Sequence, residues 1–353
     1  MAAGEKLRLS QGDVKLNGWS VESRIYAEDP VRNFLPSTGR LVTYRPPPEG
    51  PGDGGAVVRN DTGVFEGGEI SIYYDPMIAK LVTHAPTRAQ AIDAQARALD
   101  AFAIDGIRHN IPFLSALMTH PRWREGRLST GFIAEEFPDG FSEQPPTADG
   151  AEVMAAVAAA IDHLMNERKR GISGQKRPNA VRFERDRVVI LGGERHELRV
   201  EDHPAGVAMA FAGGTRLEVA SSWRPGQPVW TGTVGGEVVA LQVRAIPNGF
   251  RLSGSGKAAE ARVYTRREAE LAALMPEKSA AGAGKALLCP MPGLVKAIQV
   301  KAGQDVKAGE PLAIVEAMKM ENVLRAERDA TIAKVVAREG ESLAVDAVIL
   351  EFA

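Results

Sequence analysis

The sequence predicts an α+β protein of several domains, and three observations predict it. The C-terminal stretch repeats itself, with 294–303 echoed by 331–340. A long helical pattern near the middle of the chain is followed by many short strands. A run of small and polar residues, 276–284, separates those two regions. With 353 residues the chain has room for two or three domains.

In chain order, 52–55 is glycine-rich but follows Pro46-Pro47-Pro48, a setting for a loop and not for a phosphate cradle. Regular structure breaks over 138–149, where Gln144-Pro145-Pro146-Thr147-Ala148-Asp149 marks a boundary. From 151 to 170, Val153, Met154, Val157, Ile161, Leu164 and Met165 recur at helical spacing and form one apolar face. Asp149 suits the start of this helix as a cap; Lys169, Arg170 and Gly171 suit its end. The pattern then changes to strands at 187–191, 197–200, 207–211, 216–220, 238–243 and 249–253. Gly192-Gly193, Gly213-Gly214, Gly235-Gly236 and Pro247-Asn248-Gly249 supply turns between them. An antiparallel β-barrel around the long helix would bury the apolar face, so 136–275 reads as one domain. Residues 276–285 read as a flexible linker.

In 286–353 the repeat predicts two small sheets related by a pseudo-twofold, a flattened all-β barrel. Strands are expected at 312–315, 332–336 and 348–350, with Gly303 and Gly340 in turns that need positive φ. Lys319 falls between the two units, at a hairpin tip. Its neighbours Met318 and Met320 read as exposed. Apolar side chains are normally avoided on a turn, so the pair suggests a recognition surface.

The net charge of −2 gives no pointer to nucleic acid or a membrane surface. No apolar run is long enough to span a bilayer, and 1–7 lacks a basic-then-apolar secretory pattern. One cysteine, Cys289, rules out an internal disulfide and fits a reducing compartment; it reads as a small buried hydrophobe. The six histidines show no metal-ligand spacing and read as structural or surface residues.

Glu316-Ala317-Met318-Lys319-Met320 resembles the attachment site of biotin carrier domains. The fold is shared with lipoyl carriers, and the methionine neighbours favour biotin. The resemblance implies that Lys319 is amidated by a biotin protein ligase and becomes an arm that carries carboxylate between active sites. It implies biotin-binding roles for Met318 and Met320 beside it. The first third is similar to the C-terminal lobe of biotin carboxylases, over 1–135. Its motifs are Glu22-Ser23-Arg24-Ile25-Tyr26-Ala27-Glu28-Asp29-Pro30, Phe34-Leu35-Pro36-Ser37-Thr38-Gly39, Tyr73-Tyr74-Asp75-Pro76-Met77-Ile78-Ala79-Lys80-Leu81 and Ile104-Asp105-Gly106-Ile107-Arg108-His109-Asn110.

That second resemblance gives Arg24 a catalytic place in the biotin site, where a fixed guanidinium can stabilise an enolate oxygen. On residue pattern alone Arg24 reads as a surface arginine flanked by Glu22 and Glu28. Asp75 is expected near it, or as a strand-end acid; Arg59 matches a dimer-interface position, or is a plain exposed arginine. The ATP-binding part of that family, with its magnesium carboxylates, would precede Met1, so ATP and Mg are expected only in a longer subunit. The chain alone is expected to be inactive.

The middle region resembles the domain of propionyl-CoA carboxylase α chains that docks the carboxyltransferase β subunit. The matching segments are Ser222-Trp223-Arg224-Pro225-Gly226, Gly232-Thr233-Val234 and 267–276. Trp223 and Arg224 are either interface anchors or parts of a turn packed on its own barrel. The three resemblances together imply an acyl-CoA carboxylase segment acting in a hetero-oligomer. Acyl-CoA would be bound by the β subunit, and the location would be cytoplasmic, or the mitochondrial matrix in a eukaryote.

Overall fold

A computed structural model describes residues 2–71, 73–173, 183–275, 285–307, 309–318 and 320–353. Residues 276–284 of the expected linker, and Lys319, lie outside the described residues.

The first domain is built on a four-stranded antiparallel sheet. Trp19–Tyr26 pairs with Met77–Ala85, which pairs with Val57–Thr62, and Gly50–Pro51 closes the edge. Met77–Ala85 alternates buried and half-buried residues, as a strand with one covered face must. The covering element is the helix Arg88–Asp100, started by a capping box between Thr87 and Gln90. Its Ile92 and Leu99 join Ile25, Leu81, Phe102 and Phe113 in the core.

The middle domain is a closed eight-stranded antiparallel barrel. Asp186–Leu191, Glu194–His203, Gly206–Phe211, Arg216–Ser221, Val229–Val234, Glu237–Ile246, Gly249–Gly254 and Lys257–Tyr264 follow one another around it. The first strand pairs with the last, Val189 opposite Val263, so no edge is left open. Six of these strands were expected; Val229–Val234 and Lys257–Tyr264 were not.

The helix Ala148–Arg170 runs inside the barrel, and its buried apolar residues form one cluster with Val189, Trp230 and Leu252. Two expectations about it are corrected. Its cap is Thr147, whose hydroxyl accepts from the amide of Gly150, and Asp149 is a first-turn residue. Leu164 is exposed, whereas Ala155, Ala156, Ala158 and Ala159 are fully buried. A helix enclosed by strands buries nearly its whole circumference over 154–161, so the core is wider than the face marked by large apolar residues.

The last domain consists of two four-stranded sheets. One is ordered Met320–Arg325, Pro311–Ala317, Gly293–Ile298, Ser342–Leu343; the other Ala286–Leu288, Val348–Phe352, Ala330–Val335, Asp305–Val306. Each sheet therefore takes its short edge strand from the other half of the repeat. The two core clusters obey the same repeat. Cys289, Val295, Ala313, Leu343 and Ile349 in one stand for Ala326, Ile332, Leu350, Val306 and Leu312 in the other. Gly303 and Gly340 have φ of 84° and 80°, left-handed as the turns require.

Candidate functional site

Arg24 lies on Trp19–Tyr26 with its side chain 59% exposed. Hydrogen bonding to Tyr26, then to Glu22, holds the guanidinium above its ordinary pKa, so it is a permanent cation. Its Nε is 3.4 Å from Glu22 Oε1. Asp75 serves the strand end: its Oδ1 accepts from the amide of Met77 at 2.9 Å. Asp75 also acts on Glu28, whose carboxyl is raised first by burial and then by that neighbouring charge. Arg59 is paired with Asp61 through two nitrogens, at 2.9 and 3.0 Å.

A residue quoted only as part of a motif holds the strand that carries Arg24. Asn110 is buried; its Oδ1 accepts from the amide of Tyr26 at 3.0 Å, and its Nδ2 donates to the carbonyl of Arg24 at 3.1 Å. Its own amide donates to the carbonyl of Tyr26 at 3.1 Å. Sequence gave no signal of this role beyond the polar residue just before the apolar helix Ile111–Thr119.

On the barrel, Trp223 is buried in the barrel's own core and its Nε1 donates to the carbonyl of Gln227 at 3.0 Å. That leaves Arg224 as the candidate anchor that this turn exposes to solvent.

At the carrier turn, Ala317 pairs with Met320, so two residues separate the paired strands. Met318 has φ of 51°, the left-handed conformation that two-residue hairpin turns demand. The two methionines differ, which corrects the expectation that both are exposed. Met320 is 46% exposed, whereas Met318 is only 7% exposed and belongs to the apolar cluster of the first domain with Ile25, Leu81 and Phe113. An apolar side chain on a turn has found an apolar seat on a neighbouring domain. Beside the turn, Lys296 Nζ is bonded to Glu321 and lies 3.8 Å from Glu316 Oε2. These contacts tie Gly293–Ile298 to both strands of the hairpin.

Cys289 is fully buried, its Sγ 3.0 Å from the carbonyl of Met291, and burial pushes the thiol up. Among the described residues no group of three or more His, Cys, Asp or Glu could hold a metal ion. Among them, too, no helix is long and apolar enough to cross a membrane.

Three family matches follow this architecture in order. Residues 22–135 match the biotin carboxylase C-terminal domain, 154–278 the propionyl-coenzyme A carboxylase BT domain, and 285–352 the biotin-requiring enzyme family. The chain carries the domain series of the C-terminal portion of propionyl-CoA carboxylase alpha chains. It is 48% identical over 366 residues to the propionyl-CoA carboxylase alpha chain of Ruegeria pomeroyi, covering 100% of this chain and 54% of that one. It is 34% identical to the mitochondrial alpha chain of Homo sapiens, over 99% of this chain and 48% of that one. A methylcrotonoyl-CoA carboxylase alpha subunit from Dictyostelium discoideum is 30% identical, over 94% and 48%. The chain thus spans about half the length of the curated relatives it matches. In this alpha-chain series the carrier is the last domain, of a type that requires biotin.

Proposed function

We propose that this chain is the biotin-carrying part of an acyl-CoA carboxylase alpha subunit, with propionyl-CoA as the acyl substrate and a carboxyltransferase β subunit as partner. The observation that carries the reading is the carrier turn. One of the two repeat-built sheets carries a hairpin whose strands close at Ala317 and Met320, and Lys319 lies between them in the sequence. The residues around that position suit an attached group. Met318 accepts the left-handed backbone, Met320, next to Lys319 in the sequence, is an exposed apolar side chain, and the Lys296–Glu321 contact braces the strands. When bound, biotin supplies a ring nitrogen that accepts and releases carboxylate.

The chain's own residues do the positioning. Lys319 is the proposed attachment point. Met318 seats the turn against the first domain, the domain that also carries Arg24. Arg24, on a backbone held by Asn110, offers a cation to developing negative charge. Delivery by a tethered domain raises the effective concentration of the group at each site to roughly millimolar. The barrel is the proposed docking domain for the β subunit, with Arg224 as an exposed anchor on the turn that Trp223 roots in the core.

The test is intact-mass analysis after treatment with biotin ligase, biotin and ATP. One biotin is expected on the wild-type chain and none on Lys319→Arg. Modification at another lysine, or none in the wild type, overturns the assignment. Adding a β subunit and a separate intact biotin carboxylase then distinguishes the readings of function. Transfer to propionyl-CoA supports the carboxylase role. Binding without transfer supports a biotinylated assembly module, and preference for 3-methylcrotonyl-CoA or acetyl-CoA reassigns the substrate.

A further inference from the structure

A buried carboxylate sits where the first domain meets the barrel. Asp100 is the last residue of the helix Arg88–Asp100 and is 7% exposed. Its Oδ1 accepts from the amide of Ser255 at 2.8 Å and from the hydroxyl of Ser115 at 3.4 Å. Its Oδ2 accepts from the Ser255 hydroxyl at 3.3 Å. Ser255 belongs to the turn between Gly249–Gly254 and Lys257–Tyr264, so these bonds join two domains. The next residue, Gly256, has φ of 71° and lies so close to Ala116 that a Cβ there would come within 2.5 Å of the Ala116 Cα. The barrel turn is thus pressed against the helices that bear Asp100 and Ser115. Gln242 Nε2 adds a bond to the carbonyl of Phe102 at 3.0 Å.

Among the described residues the donors to Asp100 are all neutral. A cavity of about 30 Å³, large enough to admit water, lies against Asp100, and the titratable groups facing it are His109, Glu143 and Lys257. The barrel strands add Arg244, engaged by Asp105, and Arg251, engaged by Glu143. The helix Ile111–Thr119 brings no charged residue. His109 Nδ1 is buried with no partner among the described residues, and burial pushes that imidazole down to about 4, so it is neutral above that pH.

We propose that Asp100 makes closure of this joint proton-linked: the first domain and the barrel close best on the neutral carboxyl group and loosen when it ionises. Burial raises Asp100 to about 6 from the ordinary 3.8, against the opposing pull of its bonds from Ser255 and Ser115. Opening exposes the group to water and restores the ordinary value. As pH rises, the open state ionises first, near 4, and the closed state follows near 6. Closure therefore weakens across that window and is level above it, and two units of difference correspond to about a hundredfold in the closing constant.

Hydrogen exchange of the Ser255 amide on this chain, from pH 4 to 8 and corrected for the intrinsic rate, reads the joint directly. Its protection should fall by up to about a hundredfold between pH 4 and 6 and then level off. The Val315 amide of the carrier should not follow it. Asp100→Asn, neutral throughout, should flatten the profile. A flat wild-type profile, or an unchanged slope in Asp100→Asn, overturns the proposal. Should that variant fail to fold, Ser255→Ala keeps the carboxylate and removes one donor. The midpoint, read then at the Gly254 amide, must move to higher pH; an unmoved midpoint counts against the idea. None of these outcomes depends on biotin, so the test stands apart from the proposed function.

Discussion

Arg24 lies next to an irregularity, because the pairing of Trp19–Tyr26 with Met77–Ala85 shifts register between Ile25 and Tyr26. A shift of this kind leaves backbone groups without ladder partners, and unpaired buried groups cost about 1–3 kcal/mol each. Asn110 takes up the carbonyl on one side and the amide on the other. Asn110→Ala should therefore lower the stability of the first domain by about 2 kcal/mol, read as a shift of the denaturant midpoint at constant slope. Asn110→Asp keeps the acceptor for Tyr26 and loses the donor to Arg24, so it should retain the protection of the Tyr26 amide that the alanine variant loses. Equal loss of that protection in both would show that the side chain does not clamp the bulge. The motif containing Asn110 was visible in the sequence, but its task was not, since its partners lie 84 and 86 positions away.

Barrel strands were legible where large apolar residues alternate and hidden where small residues do the packing. Val229–Val234 contains Gly232, whose missing Cβ would come within 2.3 Å of the Ala220 carbonyl oxygen. The glycine that interrupts the strand pattern is therefore required by how closely the neighbouring strand passes. Lys257–Tyr264 turns Ala259 and Ala261 inward, too small to register as an apolar alternation. The enclosed helix follows the same rule, presenting alanines on most sides so that eight strands fit around it. Enlarging one should strain the closed ring, because a barrel cannot spread without breaking a strand pair. Ala158→Leu is expected to cost about 2–3 kcal/mol, measured by thermal or denaturant unfolding of the barrel. A variant as stable as the wild type would show that the core has slack. Ala158→Ser, nearly equal in volume, separates crowding from any other effect of the position and should cost less.

At the scale of the molecule, the carrier domain was the most readable part, because its symmetry is written along the chain. A repeat fixes which residues share a core before any contact is known, and the two clusters follow it position by position. Contacts between domains have no such local signature. They depend on surfaces built separately, as with Asp100 on a helix and Ser255 on a barrel turn. Met318 is the clearest case, an apolar residue of the carrier turn that is buried among side chains of the first domain. Burying a methionine contributes about 2 kcal/mol. Met318→Asp removes that contribution and would place a charge in an apolar seat, so the carrier should leave the first domain more often, by roughly tenfold to a hundredfold. Amide ¹⁵N relaxation of carrier residues checks this. In the wild type the carrier should tumble with the first domain, and in the variant its correlation time should shorten while amides of the barrel keep theirs. Identical relaxation in the two proteins would mean that other contacts hold the carrier and that Met318 only fills space. Met318→Leu distinguishes an apolar seat from a role of the sulfur, because it should preserve the wild-type tumbling if burial of apolar surface is what holds the turn in place.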